Sequence, residues 1–196
     1  MSEARAEIWS LPDFLAWESG QERRWELVEG HAVMMAGGTQ AHALIAANLI
    51  VALRPLLRSS SCRPVGSDLR IPVPATGNVR YPDVTIDCGR FEPSAHDASE
   101  ARIVFEVLSQ STGWYDQTRK LRDYESVPTV RQYVCISQSE PRVSVWLKGE
   151  DGRFVQQDDI LAGELSLYIE GSPISLPLTD IYEGTDLLPA SSRPTG

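Results

Sequence analysis

Cysteine, long apolar runs and positive charge are all scarce in this chain. Its 196 residues include three cysteines, Cys62, Cys88 and Cys135, without CxxC spacing. Neither a zinc site nor a disulfide framework is therefore indicated, and a reducing cytoplasm is the expected location. No apolar run reaches the roughly 20 residues that cross a bilayer. The first residues also lack the basic-then-apolar layout of a signal peptide, so no membrane association is expected.

Basic residues are outnumbered by acidic ones. The chain has 18 Lys and Arg against 27 Asp and Glu, for a formal net charge of −9. This balance argues against a generic basic surface for nucleic acid. It leaves open a local basic rim around a metal site, because a bound divalent ion reverses the local sign of the charge.

What the sequence does contain is the make-up of an ordinary globular protein, with 42% hydrophobic and 23% charged residues. The periodic segments predict an α+β fold in one domain over residues 1–188, followed by a disordered tail over 189–196. The expected elements are a helix over 10–19, a hairpin over 25–36, a long helix over 39–57, strands over 69–73, 79–87 and 102–108, a helix over 114–126, a strand pair over 132–137 and 142–148, and short strands around 154–155 and 165–169 with a last helical turn near 179–182.

Three acidic residues lie in strand-like segments among apolar β-formers: Glu26, Asp83 and Glu106. Buried carboxylates are expensive to desolvate, so this placement points to a hard cation held by oxygen ligands. If the strands that carry Asp83 and Glu106 are neighbours, the two side chains can lie side by side on one face. Two such carboxylates repel each other unless a cation or a proton lies between them, and Mg²⁺ or Mn²⁺ suits the site.

Lys120 lies on the helix that follows the Glu106 strand, four residues from both Asp116 and Tyr124. A helix in this position packs back on the sheet, so the long lysine side chain can reach the carboxylates. There it can orient an attacking water or offset charge on a phosphate.

Five motifs in order resemble the Uma2-type restriction endonucleases, a branch of the PD-(D/E)xK nuclease superfamily. They are WELVEG over 25–30, MMA over 34–36 with His42 at a helix start, YPDV over 81–84, EVLSQST over 106–112, and a D…KL..Y pattern from Asp116 to Tyr124. The resemblance covers roughly residues 10–148. It implies a restriction-endonuclease-like core, with a mixed β-sheet flanked by helices and an N-terminal hairpin.

The resemblance also implies a chemistry, namely metal-dependent hydrolysis of DNA phosphodiester bonds. Asp83 and Glu106 would hold Mg²⁺ or Mn²⁺, Glu26 would be an additional acid, and Lys120 would be the lysine. DNA is the expected partner, and a homodimer is a further expectation. The superfamily lysine usually lies two residues after the second acid, where this chain has Leu108, so the lysine must come from the helix.

The chain also departs from the family pattern at Ala41, where Glu is frequent, and at Gln110, where Pro is frequent. Both departures concern loop shape more than metal ligation.

Simpler interpretations stay open for each residue. Glu26 can be a solvated strand residue, Asp83 an edge-strand residue after a proline, and Lys120 the partner of a surface ion pair with Asp116. His42 is expected to cap or pack a helix start rather than ligate metal. For the whole chain, the alternatives are a catalytically silent binding or assembly module on the same fold and a hydrolase of a smaller phosphoester.

Overall fold

The computed structural model describes residues 8–35, 37–108, 114–169 and 171–188, with the backbone alone at 114–117 and 172. Its helices are α1 (Leu11–Glu18), α2 (Gln40–Leu56), α3 (Trp114–Ser126) and α4 (Leu178–Ile181). Its strands are β1 (Trp25–Val28), β2 (His31–Met34), β3 (Arg63–Gly66), β4 (Ile71–Val73), β5 (Asn78–Arg80), β6 (Val84–Asp87), β7 (Ala101–Leu108), β8 (Gln132–Ser137), β9 (Val143–Lys148), β10 (Phe154–Gln156), β11 (Glu164–Ile169) and β12 (Ser172–Pro177).

Two sheets carry the elements that matter for function. The larger has the order β10-β9-β8-β7-β6-β3 and is mixed, because β7 pairs with β8 in parallel while the other pairs are antiparallel. The smaller has the order β2-β1-β5-β4 and is antiparallel. A separate ribbon pairs β11 with β12. These features confirm the predicted α+β fold with a mixed sheet flanked by helices and an N-terminal hairpin.

Local sequence explains the ends of the elements. The side chains of Ser10 and Thr39 accept hydrogen bonds from backbone N–H groups in the first turns of α1 and α2, as expected of N-caps. The β1–β2 turn places Glu29 at φ 51° and Gly30 at φ 79°, which matches the tight hairpin turn that requires positive φ at both central residues. At Gly30 a Cβ would also lie 2.7 Å from Cγ2 of Ile8, which would have to move aside.

Apolar layers cover both faces of the larger sheet. On one face, Ile45, Leu49 and Leu53 of α2 pack with Phe105 and its same-face neighbours, together with the β11–β12 ribbon and α4. On the other face, Val104 and aromatic residues from α3, β8 and β9 form a second cluster, to which β4 also contributes. Because β7 is central in this sheet, almost every side chain along it is buried.

Three parts of the structure differ from the sequence-based expectation. The strand predicted over 79–87 is interrupted, so that β5 lies in the smaller sheet and β6 in the larger one. Strands β3 and β12 were not predicted. Cys62 and Cys88 form a disulfide, with their Cα atoms 3.9 Å apart, whereas no disulfide was expected. The unpredicted β3 explains the pairing, because its register with β6 brings Cys62 opposite Cys88.

The remaining expectations concern membrane association, the domain range and the cellular location. No helix in the described part of the chain is long and apolar enough to cross a membrane. The single-domain range 1–188 and the cytoplasmic location stay predictions, and a disulfide is uncommon in a reducing compartment. The predicted tail over 189–196, the MMA residue Ala36, the 109–112 part of the EVLSQST motif and the Asp116 side chain lie outside what the structure describes.

Candidate active site

A cleft of about 560 Å³ lies where the two sheets meet, and all four predicted site residues line it. Glu26 comes from β1 of the smaller sheet and Glu106 from β7 of the larger one. Asp83 lies in the short connection between β5 and β6, which carries the chain from one sheet to the other. Lys120 is contributed by α3. The fold therefore brings together residues that are far apart in the sequence.

Strand register brings Asp83 and Glu106 next to each other. The antiparallel pairing of β6 with β7 sets Val84 opposite Phe105, and the same register continued by one residue sets Asp83 opposite Glu106. Directly opposite residues in such a pair have Cβ atoms about 5 Å apart. A hydrogen bond of 2.7 Å from the backbone N–H of Val107 to Oδ2 of Asp83 holds the aspartate against β7. The side-by-side placement thus survives the interruption of the predicted strand.

Glu106 is the most deeply buried acid of the cleft, with a residue exposure of 4%. Its Oε1 accepts a hydrogen bond of 2.7 Å from the hydroxyl of Tyr124, and its Oε2 accepts one of 2.8 Å from Nζ of Lys120. Burial raises the pKa of Glu106 to about 7, against the opposing effect of Lys120 and with further contributions from Asp83 and Glu26. Near neutral pH this carboxyl group is therefore poised between its protonated and ionised forms.

Lys120 lies between two carboxylates. Besides its contact with Glu106, its Nζ is 4.0 Å from Oε1 of Glu26. The lysine side chain is 15% exposed, so α3 directs it into the cleft rather than to the surface. Lys120 is therefore a residue of the cleft, and its alternative pairing with Asp116 involves a side chain outside what the structure describes.

Glu26 is fixed by Arg80, which pairs with two acids at once. Nη1 of Arg80 donates to Oε2 of Glu26 over 2.9 Å, and Nε donates to Oδ2 of Asp123 over 2.7 Å. The N–H of Tyr81 also donates to Glu26, over 3.2 Å. Although burial opposes it, the charges of Glu26 and Asp123 raise the pKa of Arg80, so this guanidinium stays protonated. Glu26 is therefore a half-buried, paired residue and not a solvated strand residue.

His42 lies on the other side of Asp83. Its Nε2 is 3.1 Å from Oδ1 of Asp83, and the interaction raises the pKa of the imidazole above 6.5, against the effect of burial. Gly38 makes room for the ring, since a Cβ at this position would lie 2.6 Å from Nδ1 of His42. His42 was expected only to cap or pack the helix start, and its ring also faces the cleft.

The oxygen donors of Asp83 and Glu106 fit a hard divalent cation. Mg²⁺ is commonly held by one or two carboxylates and keeps several waters, so two adjacent acids are a sufficient protein contribution. Among the described residues, no group of three or more His, Cys, Asp or Glu side chains is arranged to hold a metal ion. Asp83 and Glu106 are therefore the residues of the cleft that could hold such an ion, with water as its remaining ligands.

Comparison with known proteins gives the relationship of this chain. A family model named Uma2, with the description "Putative restriction endonuclease", matches residues 11–177. The chain belongs to the Uma2 family. Two proteins of Synechocystis sp., each named an uncharacterized protein, are among the relatives of this Uma2 chain. One is 30% identical over 176 residues, covering 89% of this chain and 92% of the relative, and the other is 25% identical over 157 residues, covering 78% and 88%.

A solved structure shares the fold of this Uma2 protein. It is a crystal structure from Anabaena variabilis, titled as "a putative nuclease belonging to DUF820", with a TM-score of 0.69 and 15% identity. The match covers 88% of this chain and 97% of that one. The family resemblance and the restriction-endonuclease-like core inferred from the motifs are therefore confirmed.

Sequence reasoning missed the residues that hold the acids in place. Arg80 was not among the predicted site residues, although its position directly before the YPDV motif was a usable signal. Tyr124 was noted only for its spacing from Lys120, and it also donates a hydrogen bond to Glu106. His42 was noted as a family feature, but its pairing with Asp83 depends on how α2 crosses the sheet.

Proposed function

We propose that this protein is a divalent-metal-dependent endonuclease that hydrolyses phosphodiester bonds in DNA. The observation that carries the proposal is the contact of 2.8 Å between Nζ of Lys120 and Glu106, in a cleft where Asp83 lies opposite Glu106 in register. Two acids that can hold a metal ion, with a lysine beside them in one cleft, suit this hydrolysis. The family description, a restriction endonuclease, supports the same reaction class.

In this proposal Asp83 and Glu106 hold Mg²⁺ or Mn²⁺. The bound ion would neutralise charge on a phosphate and lower the pKa of a coordinated water. The contacts of Tyr124 and of the Val107 N–H fix the two carboxylates before an ion arrives, so little reorganisation is required. His42, beside Asp83, is a positioning residue that orients the aspartate.

Lys120 is the residue we assign to the phosphate. A carboxylate that held an ion would have less negative charge to offer an ammonium group, so the contact of Lys120 with Glu106 would weaken. Glu26, at 4.0 Å, keeps the ammonium group in place. From this position Lys120 can offset charge that develops on the phosphoryl oxygens or orient the attacking water.

The experiment is cleavage of supercoiled plasmid DNA with Mg²⁺ or Mn²⁺, compared with chelator. The parent should convert plasmid to nicked and linear forms only with metal. Asp83→Asn and Lys120→Met should each lose about 100-fold or more in rate, the usual effect of removing one electrostatic group from such a site. Glu150→Gln, at an exposed carboxylate away from the cleft, is the matched control and should cleave like the parent.

Each alternative function predicts a different result. A catalytically silent module would cleave nothing, and added metal would not stabilise it. A hydrolase of smaller phosphoesters would act on nucleotides under the same metal and leave plasmid intact. Equal plasmid cleavage by the parent and Lys120→Met would refute the role of the lysine, and cleavage in chelator would refute the role of the metal.

A further inference from the structure

A second pocket of about 290 Å³ adjoins the cleft and is lined by three arginines: Arg80, Arg119 and Arg122. Three residues line both the pocket and the cleft: Val28, Arg80 and Arg119. The two spaces are therefore adjacent. A chain-like ligand in the cleft can therefore continue into the pocket. The basic lining is notable in a protein whose formal net charge is −9.

The acid on the floor of the pocket is already neutralised. Asp123 accepts hydrogen bonds from the hydroxyl of Thr76, the amide of Asn78 and Nε of Arg80, and its residue exposure is 2%. Arg80 still has unused capacity, because its Nη2 has no hydrogen-bond partner among the described residues. The buried positive charge of Arg80 is therefore incompletely satisfied where the pocket meets the cleft.

The outer part of the pocket has an acid that can be displaced. Oε2 of Glu29, at the tip of the β1–β2 hairpin, lies 2.5 Å from Nη2 of Arg119. The two side chains are 65% and 31% exposed, and such surface pairs contribute only about 0–1 kcal/mol. Arg122 is exposed three residues further along α3, on the same face as Arg119. An incoming anion can therefore replace the Glu29 carboxylate at little cost.

We infer that this pocket is a phosphate subsite for the DNA backbone, in which Arg119 and Arg122 bind a phosphate that flanks the one at the carboxylates. Arg80 supplies the buried charge beneath it, and Glu29 occupies the site in the absence of DNA. A planar guanidinium group can bind phosphate oxygens through two parallel N–H donors. Two arginines three residues apart on one helix face are close enough to bind the same phosphate. The inference rests on the proposed function for its ligand.

Salt-dependent binding tests the subsite separately from catalysis. Fluorescence anisotropy with a short labelled DNA duplex is measured over a KCl series in chelator, where no metal-dependent cleavage occurs. Arg119→Gln and Arg122→Gln should each weaken binding and reduce the slope of log K against log salt, and the two changes together should reduce it by about 0.9, the contribution of one phosphate contact. Glu29→Gln should strengthen binding, most of all at low salt, because it removes the competing carboxylate.

Arg58→Gln is the matched control, since Arg58 is exposed and lines neither space, yet its loss changes the net charge by the same amount. It should keep the parent slope. The inference is overturned if Arg119→Gln and Arg122→Gln match Arg58→Gln, or if Glu29→Gln weakens binding. Failure of the proposed function has a different signature, namely no cleavage with metal, whatever the slopes are.

Discussion

Replacing Glu106 by Gln in the metal-free protein tests whether the folded state favours the protonated form of this carboxyl group over its ionised form. The raised pKa of about 7, compared with an ordinary 4.5, means that the folded state binds the proton of Glu106 more tightly than the unfolded state does. Between these two values the folded protein carries more protons, so the stability contributed by Glu106 falls as the pH rises. It is fully present below pH 4.5 and lost above pH 7.

The size of this loss of stability follows from the pKa shift of Glu106. One pKa unit corresponds to 1.36 kcal/mol, so the loss across the window is about 3 kcal/mol. A glutamine cannot ionise and resembles the protonated glutamate in shape. Its loss of the contact with Lys120 adds a nearly constant offset. The free energy of unfolding of Glu106→Gln minus that of the parent should therefore rise by about 3 kcal/mol from about pH 4 to about pH 8.

The assay is urea unfolding in chelator at several pH values, with stabilities from linear extrapolation. Glu150→Gln, at an exposed carboxylate, serves as the control and should show a difference that hardly changes with pH. The opposite trend would be a free energy of unfolding of the parent that increases relative to that of Glu106→Gln as the pH rises. In that case Lys120 would stabilise the ionised carboxylate by more than its desolvation costs. The pair would then be a structural ion pair, and the reasoning about a poised metal ligand would be refuted.

Three further changes have defined outcomes. Gly38→Ala should push His42 away from its aspartate and lower cleavage about 10–100-fold with little change in melting temperature, and unchanged cleavage would contradict the role of the ring. Arg80→Met should cost about 3–5 kcal/mol in urea unfolding, because it leaves the buried Asp123 and the half-buried Glu26 without their arginine, and a neutral result would mean that these acids are protonated. Replacing both Cys62 and Cys88 by Ala should cost about 3 kcal/mol and remove the effect of reducing agent on the melting temperature, whereas an unchanged response to reductant would contradict the disulfide.

The sequence singled out the acids that line the cleft because their placement was locally unusual. Glu106 lies in a run of buried apolar β-formers, and period-2 alternation put it on one face with Val104, as observed. The long helix with its Thr39 cap and the β1–β2 hairpin also followed from local patterns. Such features depend on nearest neighbours in the chain, which a single sequence records directly.

Features that depend on distant partners were not predictable in the same way. The chain leaves one sheet after Arg80 and enters the other at Val84. The sequence over 79–87 nevertheless has the alternating pattern of one continuous strand. The double pairing of Arg80, the contact of His42 with Asp83 and the disulfide all depend on how separate elements pack. No periodicity within one element carries that information.

The most direct test of the central claim is calorimetric titration of the chelator-treated protein with Mn²⁺, for the parent and for Asp83→Asn. If Asp83 and Glu106 form the metal site, the parent should bind one ion and Asp83→Asn should show no heat of binding under the same conditions. Mn²⁺ should also raise the melting temperature of the parent alone, because an ion that binds only the folded state stabilises it by mass action. Equal binding by the two proteins, or no binding by the parent, would contradict the claim that these acids form the metal centre of a nuclease.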